Sequence, residues 1–183
     1  TVVGGVGIDH LIISCSGTLN YVIDIHDGGG DLTTGDNGQI SGIEQLTFYG
    51  FSMQGSLTAT GGALDDSFHL GVGKNTIHCG GGNDTVFSYG ELDSVSGDDG
   101  NDYFHVSGSG TFDGGAGTDL LYISGFAFDA LTINLFDGGG GRAVGRGITI
   151  SNIERLYCFG SFVDDIIIGG SSGNDISGGE GND

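Results

Sequence analysis

The chain has 183 residues, of which 24 are Asp or Glu and four are Lys or Arg, for a formal net charge of -20. Such a surface excludes nucleic acid and anionic membranes as partners, because binding phosphate takes clustered Lys and Arg. Its 41 glycines come without a single proline, which excludes collagen-like and Pro-rich disordered chains, while 37% hydrophobic residues in short runs suffice for a β-type core. No apolar run approaches the roughly 18 residues of a membrane span. No basic segment leads into an apolar one as in a signal peptide. The chain opens with a repeat almost under way and stops at Asp183 inside another, so a segment of a longer polypeptide is expected. Cys15, Cys79 and Cys158 are widely spaced and match no CxxC pattern. Buried free thiols are expected, with one disulfide as the alternative.

In chain order, the first unit is Gly4-Gly5-Val6-Gly7-Ile8-Asp9-His10-Leu11-Ile12. LIIS and YVIDIHD follow, and their alternation of β-branched residues predicts strands. Gly28 to Gly30 and the Gly35-Asp36-Asn37-Gly38 cluster predict turns. QISGIEQLTFYG predicts a further strand with Ile43 and Leu46 inside. From Gly61 to His105 the chain falls into nines: GGALDDSFH, LGVGKNTIH, CGGGNDTVF, SYGELDSVS, GDDGNDYFH. The eighth place is always apolar (Phe68, Ile77, Val86, Val95, Phe104), and the sixth holds Asp66, Asn75, Asp84, Asp93 and Asp102. The Gly-rich half suits a tight turn, since Gly tolerates positive φ. The other half suits a short strand whose middle residue points inward.

The opening arrangement returns 110 residues on: GGVGIDHLIIS as GGAGTDLLYIS, and ISGIEQLTFYG as ISNIERLYCFG. Asp9 answers to Asp119, Ser14 to Ser124, Asp27 to Asp137, Ile43 to Ile153, Glu44 to Glu154 and Gly50 to Gly160. The chain is read as a first copy (1–60), a central array (61–113) and a second copy (114–183). Only the first copy carries the insertion FSMQGSLTATG, whereas the second enters its array through GSFVDDIII, with Asp165 in the sixth place. In GGSSGNDIS either Asn174 or Asp175 takes the sixth place. VSGSGTFD is one residue short, so Asp102 to Asp119 is a step of 17 rather than 18. Whether the turn absorbs that slip or loses a site is left open.

The nonapeptide matches G-G-x-G-x-D-x-U-x, and on these residues the chain resembles RTX-type calcium-binding repeat proteins. The resemblance implies an all-β fold, a right-handed parallel β-roll or β-helix solenoid with Gly/Asp-rich calcium-binding turns. Two nonapeptides make one 18-residue coil, so residues 18 apart stack at about 4.8 Å. Asp66, Asp84 and Asp102 then form one column, with Asn75 and Asp93 on the opposite edge. Carboxylates about 5 Å apart repel by about 1 kcal/mol in water and several times that near a protein surface. Calcium relieves this, because it takes six to eight oxygens from carboxylates and carbonyls together. Each ion, as the resemblance implies, is shared between two turns. Gly61, Ala63 and Asp66 would share one with Gly80, Gly82 and Asp84; Cys79, Gly81 and Asp84 would share one with Asp98, Gly100 and Asp102. Asp9, Asp93, Asp119, Asp165 and Asp183 are the remaining sixth-place candidates. The Asn75–Asp93 edge is the weaker, since an amide brings no charge and Glu91 and Leu92 stand where glycines are expected.

Other motifs carry less. His69, Phe87 and His105 share an outward face, but Phe87 separates the two histidines; His10, His26 and His78 have no companions. Gly169 to Gly173 spells G-x-S-x-G without the following helix that a nucleophile elbow needs, so Ser171 is not read as catalytic. HExxH does not occur, and Gly73-Lys74 is not a P-loop. In Asp65-Asp66 and Asp164-Asp165 the second Asp is already a metal candidate. Outward places such as Ser67, Thr85 and Tyr103 are too mixed for an ice-binding face. A non-catalytic extracellular or cell-surface module is expected: structural, adhesive or surface-layer in role, and partnered by calcium, further copies of itself or a cell-surface ligand. The alternative is the secretion and folding segment of a secreted enzyme or toxin.

Overall fold

In the computed structural model, residues 2–25, 29–33, 38–124, 130–136, 140–144, 147–170 and 172–183 are described, without side chains at 29–33, 38–41, 124, 136 and 140–144. His26, Asp27, Gly28, Gly35, Asp36, Asn37, Asp137 and Ser171, which the sequence reading singles out, lie outside the described residues.

Among the described residues the fold is all-β, and no helix is long and apolar enough to cross a membrane. Eight parallel strands make one sheet, in the order His10–Gly17, Gln45–Met53, Ser67–His69, Thr85–Ser88, Tyr103–Val106, Leu120–Ser124, Arg155–Phe159, Asp175–Ser177. Most strands between them in sequence build a second sheet, while Thr132–Phe136, Gly140–Val144 and Ile166–Ile168 form a third of three strands. Tyr21–Asp24, Leu57–Thr60, Thr76–His78, Asp93–Ser96, Gly110–Asp113 and Ile148–Ser151 are the parallel part of the second sheet. From Ser67 to Asp113 the chain therefore passes alternately from one sheet to the other. Ser67, Thr85 and Tyr103 pair in line, as do Thr58, Thr76 and Ser94, in steps of 18.

Each nonapeptide half forms what its residues dictate. The eighth-place residues Phe68, Ile77, Val86, Val95 and Phe104 are all buried, joined by Leu121, Phe112, Leu46 and Leu156 in one continuous core. Neighbouring ninth-place residues point outward and stack. Tyr49, His69, Phe87, His105, Tyr122 and Tyr157 form one row across successive strands, with His69 and Phe87 centroids 4.6 Å apart. Such packing adds about 0.5–1.5 kcal/mol per pair beyond burial.

Three sequence expectations change. Gly29 and Gly30, read as a turn, open the strand Gly29–Thr33, which runs antiparallel to Tyr21–Asp24 and to Gly38–Ser41. QISGIEQLTFYG is two strands, Gly38–Ser41 and Gln45–Met53, parted at Gly42 with φ 63°. FSMQGSLTATG is less an inserted loop than sheet: Phe51 to Met53 extend one strand past an irregularity opposite Ser14 to Ser16, and Leu57–Thr60 is another. The second copy has its own antiparallel pair, Thr132–Phe136 with Gly140–Val144.

The one-residue slip is absorbed. Tyr103 pairs with Leu120 and Asp93 with Gly110, both steps of 17, whereas Thr85 to Tyr103 is still 18. The missing residue therefore lies in the turn between Val106 and Gly110. That turn is on the Asn75–Asp93 edge, so the opposite edge keeps its register.

Candidate metal centre

The sixth-place carboxylates of one edge form a single column. The N–H of Asp66 donates to Asp84 Oδ1 (2.6 Å), that of Asp84 to Asp102 Oδ1 (2.8 Å), and that of Asp102 to Asp119 Oδ1 (2.8 Å). Leu46 N–H opens the column on Asp66 Oδ1 (2.6 Å). Each carboxylate thus ties its turn to the preceding one, and all four side chains are at most 2% exposed. Asp66 Oδ2 accepts the N–H of Gly62 (2.8 Å). Asp84 Oδ2, Asp102 Oδ2 and Asp119 Oδ2 are buried and have no hydrogen-bond partner.

Orphaned buried oxygens are costly, because burial removes water without a replacement donor. Burial accordingly lifts Asp66 and Asp119 to about 6 and Asp84 to about 8, and raises Asp102; neighbouring carboxylates add to the rise. Cys79 lies wholly buried beside them, its thiol held protonated first by burial and then by Asp84, Asp102 and Asp66. All three cysteines are free thiols; Cys79 and Cys158 are buried and Cys15 is half-buried.

The turns bring backbone oxygens to the same edge. Second and fourth places are left-handed in successive turns: Gly80 and Gly82, Asp98 and Gly100, Gly115 and Gly117. Asp98 tolerates its φ of 67° with its carboxylate accepting from Ser96 Oγ (2.6 Å) and Gly80 N–H (3.3 Å). Third places form a narrow parallel ladder, Gly81 to Asp99 to Ala116. The carbonyls of Gly80 and Asp98 accept the N–H of Asp99 and Ala116, leaving one lone pair each. An added Cβ on Gly61 would lie 2.0 Å from the Cys79 carbonyl oxygen and 2.3 Å from Asp66 Oδ2, so those oxygens crowd against the first place. Ala63 and Gly100 sit in the same stack. Among the described residues no three His, Cys, Asp or Glu side chains converge on a point. The column offers two carboxylates per gap, with backbone oxygens around them.

The opposite edge differs. Asn75 and Asp93 are buried, but every polar group of the pair is engaged. Asn75 Nδ2 donates to the carbonyls of Gly71 (3.4 Å) and Gly73 (2.8 Å) and to Asp93 Oδ1 (2.9 Å). Asp93 Oδ2 accepts from Ser88 Oγ (2.6 Å). Asp93, a metal candidate by sequence, is thus met by protein donors. Asp165 is too: its oxygens accept from Leu131 N–H (2.6 Å) and from Ser161 N–H and Oγ (2.6 and 3.2 Å). Asp183 Oδ1 receives Asp165 N–H (2.9 Å) at an exposed position. Half-buried Asp9 accepts from Gly5 N–H (2.7 Å). In GGSSGNDIS it is Asn174 that takes the sixth place, its Oδ1 accepting from Leu156 N–H (3.0 Å), while Asp175 opens an exposed strand.

Two features escaped the sequence reading. Glu44 and Glu154 take the sixth place of short, non-repeat turns: Glu44 Oε2 accepts Asp9 N–H and Glu154 Oε2 accepts Asp119 N–H, each at 2.9 Å. Their equivalence in the duplication was the available signal. An outer fifth-place ladder also runs along the column, from Asp65 Oδ1 to Asn83 N–H (2.6 Å), Asn83 Oδ1 to Asn101 N–H (3.0 Å) and Asn101 Oδ1 to Thr118 N–H (2.8 Å).

Fold and site together define an all-β protein of stacked parallel strands carrying a buried column of carboxylates on one edge. Compared with known proteins, the chain matches no family model and no curated protein.

Proposed function

We propose that this chain is a non-catalytic calcium-binding module of the RTX type, a right-handed parallel β-roll that completes its folding when calcium enters the carboxylate column. One observation carries the reading: three successive buried carboxylate oxygens, on Asp84, Asp102 and Asp119, lack a donor. Calcium supplies the positive charge and hard-oxygen coordination such a column needs. The gaps between Asp66 and Asp84, Asp84 and Asp102, and Asp102 and Asp119 hold the ions. First- and third-place carbonyls of one turn, such as Gly61 and Ala63 or Cys79 and Gly81, complete the ligand sets with second- and fourth-place carbonyls of the next.

The energetics favour coupling to folding. Each nonapeptide buries only one or two apolar side chains, such as Leu70 with Ile77 or Cys79 with Val86, against the entropy of ordering nine residues. Calcium binding then contributes folding free energy directly. In a secreted or cell-surface protein the module would stay open in a calcium-poor interior and stiffen outside, in a structural, adhesive or surface-layer role. Far-UV circular dichroism with calcium and with excess chelator tests this. The β signal and the thermal midpoint should fall on chelation and return with calcium; a spectrum and midpoint indifferent to both would overturn the reading.

A further inference from the structure

We infer that Asn75 and Asn174 use their own side-chain amides in place of the cation, so that their turns close without metal. The contrast with the Asp turns rests on the calcium reading above. Asn75 Nδ2 donates to the second- and fourth-place carbonyls of its own turn, Gly71 and Gly73, while its Oδ1 accepts the N–H of Leu57 (2.9 Å). Asn174 repeats the arrangement in the second copy. Its Nδ2 donates to the second- and fourth-place carbonyls of Gly170 (2.8 Å) and Ser172 (2.6 Å), and its Oδ1 accepts from Leu156 N–H (3.0 Å).

The two turns, LGVGKN and GGSSGN, share only the second-place glycine and the Asn. The common geometry therefore belongs to the Asn. Its orientation is fixed by chemistry, since Oδ1 faces an N–H donor and Nδ2 faces two acceptors. A carboxylate at that place would present oxygen to the same carbonyls and call for a cation. The Asp turns show the difference: Asp84, Asp102 and Asp119 each keep an orphaned oxygen. The backbone N–H of Asn75 donates to Asp93 Oδ1 (3.0 Å) and the Ser88 hydroxyl to Oδ2 (2.6 Å), so both Asp93 oxygens are met. A sixth-place Asp that no protein donor completes, as at Asp84, Asp102 and Asp119, thus leaves its turn to a cation, whereas the amide of Asn75 or Asn174 closes the turn by itself.

The test uses the full chain, with calcium counted by equilibrium dialysis against calcium chloride and amide exchange followed by NMR in chelator. In the wild type the Leu57 and Leu156 amides should stay protected in chelator, about tenfold or more above those of Asp66 and Asp84. Asn75→Asp should bind an additional calcium ion per chain and lose Leu57 protection in chelator, regaining it with calcium. Asn75→Ala should lose that protection under both conditions and gain no ion. Asn174→Asp is the second variant and should repeat the first. An unchanged calcium count in both Asp variants overturns the inference, as does a chain that calcium fails to refold in both. If the wild type binds no calcium, the calcium reading fails. The amide latch is then judged by Asn75→Ala, and undiminished Leu57 protection there overturns it.

Discussion

Asp84 is the residue on which the column turns, for it stands between two other carboxylates with one oxygen unmet. Its metal-free pKa of about 8, and those of Asp66 and Asp119 near 6, lie above the ordinary carboxylate value of about 4. The folded metal-free chain therefore binds more protons than the unfolded chain across this range. Stability from these groups is fully present below about pH 4 and is lost as pH rises, through about 6 and then about 8. Chelated protein should accordingly melt higher at pH 5 than at pH 8. Calcium should reverse the order, because it displaces the protons. Calorimetric titration at pH 7 in buffers of different ionisation heat should register proton release on calcium binding; a buffer-independent heat would contradict it. At the same residue, Asp84→Asn should stabilise the metal-free fold by about 1–3 kcal/mol in urea melts with chelator, because it removes the cost of burying a carboxylate and then its neighbours' repulsion, and should lower the calcium count in equilibrium dialysis.

At the level of the turn, the fourth place is the most demanding. Gly82 has φ 108°, and an added Cβ would lie 2.5 Å from the Leu64 carbonyl carbon. Gly82→Ala should cost about 3 kcal/mol or more, from strain and overlap together. Its neighbour Gly81 has no positive φ, and its added Cβ would meet nothing closer than 3.7 Å. Gly81→Ala should stay within about 0.5 kcal/mol of wild type. Equal losses in the two variants, measured by urea denaturation with calcium present, would count against the turn geometry. The strand half answers to a different test: Phe104→Ala removes a wholly buried ring and should cost about 3–5 kcal/mol whether or not calcium is bound.

Over the whole molecule, stacked turns contact mainly their neighbours, which makes stability nearly additive along the axis. Loss of calcium should then act locally. In chelator, amides of the column at Asp66, Asp84 and Asp102 should exchange early. Those of Leu121, Ile123 and Leu156, whose side chains are buried within strands of the core, should exchange late. One uniform exchange rate throughout would show instead that the stack opens as a single unit.

The sequence by itself determined the period, the inward residues and the edge on which the carboxylates gather. All three follow from local rules: a Gly-rich bend, a two-residue alternation and a fixed repeat. It also marked Glu44 and Glu154 as equivalent without giving them a task, because a Glu in a short turn fits no nonapeptide. Only the tertiary structure decided which carboxylates are met and which are not. Asp93 and Asp165 look like Asp84 in sequence, yet Asn75 and Ser88 serve the first and Ser161 the second. The slip between Asp102 and Asp119 likewise became harmless once the short turn fell on the opposite edge. The reason is the same in each case. A hydrogen-bond partner 18 residues or more away is set by stacking register, and register is a property of the assembled sheets rather than of any one repeat.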